Sequence, residues 1–138
     1  DGQRCELHED VRAWLHGWMP AWRWGSMLCI DYGDLFPTLY HRRKAGTLRG
    51  YLLQQRIEGS EIYQNVGRQD ITCDVNFTDL RKWLPGFGCV ESSYETQAEF
   101  LAKWAAQQSR KPGSAEEFLS LSDGAGGAFK CLAVRHLR

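Results

Sequence analysis

The chain has 138 residues, and its 17 Lys and Arg balance 17 Asp and Glu to a formal net charge of zero. That length suits about one ordinary domain with a real core. Zero net charge argues against a dedicated electrostatic nucleic-acid binder, and the nearest basic run, His41-Arg42-Arg43-Lys44, is too short to reverse that. Hydrophobic residues make up 43% and include six Trp, which excludes global disorder. No apolar run approaches a membrane span, and the start, Asp1-Gly2-Gln3-Arg4-Cys5, lacks a signal-peptide pattern and a Met.

In chain order, Glu6 to His8 reads as a weak strand. Asp10 is then a candidate N-cap for a helix, because Val11, Trp14, Leu15, Trp18, Met19 and Trp22 recur at helical spacing. That stripe predicts a core face, and Pro20 should end the last regular turn. Ser26 to Ile30, between Gly25 and Gly33, predicts a buried strand, parallel and central. From Asp34 to Gln69 the pattern is irregular and punctuated by Pro37 and several glycines. Leu48 to Ile57 is the segment there with the apolar content for a short helix or strand.

Asp70 to Phe77 leads into a helix carrying Leu80, Trp83 and Leu84, which Pro85-Gly86 stops. Phe87 to Ser92 follows as a strand. Thr96-Gln97-Ala98-Glu99 and Ser114-Ala115-Glu116-Glu117 both have capping-box form and predict two helices, with a turn over Ser109 to Gly113 between them. Gly124 to Gly127 is a turn into a last strand, Ala128 to Leu137. The order of elements is that of an α/β protein.

The chemistry is not announced by any single motif. The five cysteines are scattered with no C-x-x-C pair, so they read as small buried hydrophobes in a reducing compartment. The four histidines lack metal-ligand spacing, and no nucleophile elbow is present. The glycine clusters Gly86-Phe87-Gly88 and Gly124 to Gly127 lead into strands, where a phosphate loop would lead into a helix. Two segments hold the interest. Asp31-Tyr32-Gly33 ends the best strand, and ligands of open α/β sheets bind outside the carboxyl ends of strands; a plain turn is the alternative. In Asp70-Ile71-Thr72-Cys73-Asp74 an extended chain would put Asp70, Thr72 and Asp74 on one face. That stripe is either a pocket wall or a solvated edge strand followed by an Asn76 N-cap.

Five motifs in order resemble the C-terminal half of the MidA-like methyltransferases. They are Asp31-Tyr32-Gly33, Gly46-Thr47-Leu48-Arg49-Gly50-Tyr51, Gly67 with Asp70-Ile71-Thr72-x-Asp74-Val75-x-Phe77, Thr96-Gln97-x-x-Phe100-Leu101 and Gly127-x-Phe129-Lys130. That class I family depends on S-adenosylmethionine and includes a mitochondrial arginine methyltransferase that assists assembly of respiratory complex I. The resemblance implies the C-terminal half of a Rossmann-like methyltransferase sheet with helical insertions. Glu6 to His8 and Met27 to Asp31 would be its fourth and fifth strands, and the last two strands its closing antiparallel pair. Residues 1–138 are then expected to form a single or partial domain, with most of the cofactor site, including its main glycine-rich loop, outside it.

Carried over position by position, the resemblance makes Asp31, Asp70 and Asp74 the catalytic candidates. Tyr32, Thr47, Arg49 and Thr72 become the substrate-binding ones. The carboxylates are expected to face a cationic acceptor such as a guanidinium on a protein substrate. The family often has His where Gln54 stands and usually Asp where Asn76 stands, which bears on proton transfer and not on the fold. The resemblance places the protein in the bacterial cytoplasm or in mitochondria. Half a sheet also leaves an open strand edge, so association through it is expected. The alternative function is a non-catalytic protein-binding or assembly module derived from the same fold.

Overall fold

The computed structural model describes residues 2–108, 119 and 121–136. The turn expected over Ser109 to Gly113 and the start of the helix expected after Ser114 lie outside the described residues. The elements in order are α1 (Glu9–Trp18), β1 (Gly25–Asp34), β2 (Arg49–Leu52), β3 (Gln55–Ile57), β4 (Asp70–Thr72), β5 (Val75–Asn76), α2 (Phe77–Trp83), β6 (Cys89–Thr96), α3 (Gln97–Gln108), α4 (Ala125–Ala128) and β7 (Phe129–His136).

Two sheets form. The larger has the order β5-β1-β7-β6, and the smaller has the order β3-β2-β4. β7 lies antiparallel between β1 and β6, so the closing antiparallel pair is present as expected. β1 is internal in the strand order, but it is parallel only to β5, over Gly33–Val75 and Asp34–Asn76. Along Gly25 to Tyr32 its other edge has no strand beside it among the described residues. The strand is also not buried as expected, since Leu28 and Ile30 on it stay exposed. Two further expectations need correction here. Glu6 to His8 form no strand: the segment is irregular, and the Glu6 side chain holds the loop around Thr47. The stretch from Leu48 to Ile57 is neither one helix nor one strand but a hairpin of β2 and β3. Its turn residues Leu53 and Gln54 both have positive φ, 50° and 66°, as a twisted two-residue hairpin turn requires.

Packing follows the sequence pattern. Leu15 and Met19 of the first helical stretch meet Phe77, Leu80 and Leu84 over one face of the sheet, where Leu132 and Val134 emerge. Phe77 is fully buried, and each such side chain contributes roughly 2 kcal/mol of transfer free energy. The Trp stripe is only partly core. Trp18 and Trp22 pack against the cluster, while Val11 and Trp14 stay exposed.

Local capping is as the sequence indicates at two sites. Asn76 accepts from Thr78 N and caps α2. Thr96 and Glu99 form a full capping box on α3. α1 instead begins one residue before Asp10, with His8 at the cap. Gly33 is needed where β1 meets β5, since a Cβ there would collide with Val75 O. No helix among the described residues is long and apolar enough to cross a membrane.

Candidate functional site

A cleft of about 1200 Å³ opens at the carboxyl end of β1. Its floor carries Tyr32 and Asp34. One wall is the segment from Gln3 to Glu6 with the loop from Arg42 to Arg49. The far side takes Asp74 and Lys130.

The wall is held by a chain of buried polar contacts. Glu6 Oε1 accepts from Thr47 N at 2.9 Å and Leu48 N at 3.2 Å. Glu6 Oε2 accepts from the Thr47 hydroxyl at 2.9 Å. Gly46, at φ +81°, lets this carboxylate approach, because a Cβ there would overlap Glu6 Oε1. The Thr47 oxygen in turn accepts from Asp74 N at 2.9 Å. Asp74 is 6% exposed and pairs Arg49 through Oδ1 at 2.5 Å and Arg43 through Oδ2. Arg49 Nη1 also donates to Thr47 O at 3.1 Å, and its guanidinium stacks 5.5 Å from the Tyr32 ring centre. Burial opposes the charge on Arg49, but its bonds to Asp74 and Tyr51 outweigh it and lift the guanidinium above its usual range. A buried charge with this many partners is fixed in place; removing one partner would leave an uncompensated ion.

Tyr40 anchors the same segment from below. Its hydroxyl accepts from Glu6 N at 3.1 Å, and burial pushes its pKa up to about 12. Tyr32 is steadied by Phe129, with ring centres 3.9 Å apart.

Of the seven residues singled out in the sequence, Tyr32, Thr47, Arg49 and Asp74 line the cleft. Asp31 does not: it is exposed, bonds Tyr32 N, and borders a second, apolar cleft along the open edge of β1. Asp70 is exposed on β4, opposite Tyr51. Thr72 sits opposite Arg49 with its hydroxyl buried and unpartnered among the described residues. The expected single face of Asp70, Thr72 and Asp74 does not form, because β4 ends at Thr72 before Asp74 turns inward.

Glu6, Asp34 and Arg43 are cleft residues that sequence reasoning missed. Glu6 and Arg43 reach partners 41 and 31 residues away, and no local spacing signals such pairs. Asp34 lies just past the Asp31-Tyr32-Gly33 motif. Its Oδ1 accepts from Leu35 N at 2.7 Å. Its Oδ2 accepts no hydrogen bond among the described residues, and Lys130 Nζ stands 3.9 Å away. Glu6 and Asp74, by contrast, have both oxygens engaged.

Nothing marks a thiol as a nucleophile. Burial pushes Cys29, Cys73, Cys89 and Cys131 above the usual thiol range, Cys131 to about 11. Cys89 and Cys131 are buried as expected, Cys29 and Cys73 are half-buried, and Cys5 is exposed. No group of side chains suited to a metal ion occurs among the described residues.

A nucleotide cofactor in a sheet of this kind rests on a glycine-rich turn leading from a parallel strand into a helix. Gly86 to Gly88 lead into β6; the expected turn over Gly124 to Gly127 is instead the single helical turn α4, capped by Gly124, which follows no parallel strand among the described residues and runs straight into β7. Both β6 and β7 are antiparallel to their neighbours in the sheet. The described residues therefore do not by themselves fit the adenosine and methionine of S-adenosylmethionine.

Comparison with known proteins agrees with the fold. Residues 1–93 match the family described as "Putative S-adenosyl-L-methionine-dependent methyltransferase". An uncharacterized protein of Burkholderia thailandensis has a similar structure, with TM-score 0.74, 26% identity and 94% of this chain covered. So has a member of the same superfamily from that organism, solved bound to S-adenosyl-homocysteine, with TM-score 0.76, 25% identity and 97% of this chain covered. The chain spans 38% of the length of each of these two structures. No curated protein matches it. The α/β chain is thus a partial Rossmann-like methyltransferase fold. With two-thirds of its length matched by the family model, it belongs to the S-adenosylmethionine-dependent methyltransferase family.

Proposed function

We propose that this chain forms the acceptor side of an S-adenosylmethionine-dependent methyltransferase, and that the acceptor is an arginine side chain of a protein, as the MidA-like resemblance implies. The observation that carries the reading is Asp34 Oδ2, a carboxylate oxygen on the cleft floor that no hydrogen-bond donor occupies among the described residues. Methylating a guanidinium nitrogen requires that it be held in line with the methyl donor and that its positive charge be restrained. Asp34 accepts from the guanidinium N–H groups and takes the proton that the nitrogen sheds as the methyl passes from sulfur to it. Tyr32 and Arg49 shape the wall beside it, and the Glu6–Thr47–Asp74 chain holds that wall rigid. Asp74 serves as an anchor here, since two guanidinium groups already occupy it. S-adenosylmethionine supplies the methyl group, and its glycine-rich turn belongs to the part of the fold outside the described residues.

The test is transfer of labelled methyl from S-adenosylmethionine to arginine-containing peptides by the protein with its glycine-rich turn present, followed by amino-acid analysis. Methylarginine is the expected product, and Asp34→Asn should lower kcat by about a hundredfold, the scale of a lost proton acceptor. Label confined to another residue type overturns the arginine reading. Absence of both transfer and S-adenosyl-homocysteine binding overturns the methyltransferase reading for this protein.

A further inference from the structure

The basic run His41-Arg42-Arg43-Lys44 finds no use in the acceptor floor, yet the fold brings it to the mouth of the cleft. Arg4 N donates to Lys44 O at 2.9 Å, and Gln3 Nε2 donates to Arg43 O at 2.7 Å. These bonds pin the N-terminal segment against the loop and place Arg4 beside Arg42 and Lys44. All three side chains are exposed and line the cleft. The neighbouring cations are already neutralised: Arg43 and Arg49 by Asp74, and Arg56 by Glu58 at 2.5 Å. Arg4, Arg42 and Lys44 have no carboxylate partner among the described residues. Arg42 is also held at φ +59°, a conformation that costs a non-glycine residue energy and is over-represented at functional sites.

We infer that this rim binds carboxylate side chains of a protein acceptor, so that the favoured methylation site lies in an acidic stretch of peptide. The inference rests on the methyltransferase reading and adds a rule of substrate choice to it. A discrete acidic peptide fits better than a nucleic acid. Asp34 lines the same cleft and repels a continuous polyanion, and a chain of zero net charge has no long-range field to attract one. Local cations at a cleft mouth instead select among peptides and raise the rate of encounter.

The test is fluorescence anisotropy with the 138-residue chain and two labelled peptides, one arginine flanked by glutamates and the same sequence with glutamines. The glutamate peptide should bind about tenfold more tightly, the scale of two or three exposed ion pairs, and added salt should erase the difference. The double variant Arg42→Asn with Lys44→Gln should remove the preference; Asn tolerates the left-handed backbone, so the loop is kept. Arg4→Gln, whose side chain makes no bond among the described residues, serves as a second and independent variant. Equal binding of both peptides, or a preference unchanged in both variants, overturns the rim. So does a single-stranded oligonucleotide that binds more tightly than the glutamate peptide. If the preference holds but no methyl label is ever transferred, the methyl-acceptor reading fails and the rim stands. If label enters both peptides equally, the rim fails and the methyltransferase reading stands.

Discussion

Thr47 shows how a small residue can hold a site together. Its amide and hydroxyl both donate to Glu6, its hydroxyl oxygen accepts from Asp74 N, and its carbonyl accepts from Arg49. The residue is 5% exposed, so water does not replace these bonds. Tyr40 supports the same corner by accepting from Glu6 N, and its ionisation predicts a pH effect of known sign. Burial raises its folded-state pKa from 10.0 to about 12. The fold therefore favours the neutral phenol, and this contribution is complete below pH 10 and lost as pH rises towards 12. Urea denaturation midpoints should fall across that window. Tyr40→Phe should be less stable at neutral pH, because Glu6 N loses its acceptor, and should lose stability less steeply in alkali. A residual slope is expected, since burial also raises Tyr94. A variant with the wild-type alkaline slope would show that Tyr40 is not the group concerned.

Among the elements, β1 does most to place the site, and Gly33 is the residue that lets it. Val75 O lies where a Cβ would go, so Gly33→Ala must push β5 away or distort the end of β1. The expected cost is about 2 kcal/mol, in the range of overpacked cores, read as a lower urea midpoint. The cleft floor at Tyr32 and Asp34 should loosen with it, seen as faster amide exchange at Asn76, whose strand partner is Asp34. Full wild-type stability would mean that the two strands separate freely. Elements whose cause is local were legible in the sequence: α1 from its apolar spacing, α3 from Thr96 and Glu99, and the stop after α2 from Pro85-Gly86. The hairpin of β2 and β3 was not, because Leu53 and Gln54 carry none of the glycine or asparagine that usually marks such a turn.

For the whole molecule the open edge of β1 is decisive. Leu28 and Ile30 of β1 are 43% and 44% exposed, and Trp14 of α1 is 63% exposed. Leu28 and Trp14 border an apolar cleft of about 470 Å³ whose wall includes two buried polar atoms, His8 Nε2 and Trp18 Nε1, unpartnered among the described residues. An apolar strand edge of this kind is a template for pairing. The 138-residue chain by itself is expected to pair with a second copy there, giving a concentration-dependent dimer in sedimentation equilibrium. Ile30→Lys should shift it towards monomer. A monodisperse wild-type monomer at every concentration would show the edge to be protected.

The sequence by itself determined the α/β class, the caps at Asn76 and Thr96, and the methyltransferase family, because each depends on neighbours in the chain or on motifs kept in order. It also pointed to the carboxyl end of the Ser26 to Ile30 strand as the place to look for a site. Only the tertiary structure decided which polar residues share the cleft. Asp31 and Asp70 lie outside it although their motifs look chemical, while Glu6, Asp34 and Arg43 lie inside it without any motif. The physical reason is reach. A buried charge needs several partners at hydrogen-bond distance, and those of Glu6 and Asp74 come from segments 25 to 42 residues away, which meet only when the sheet has formed.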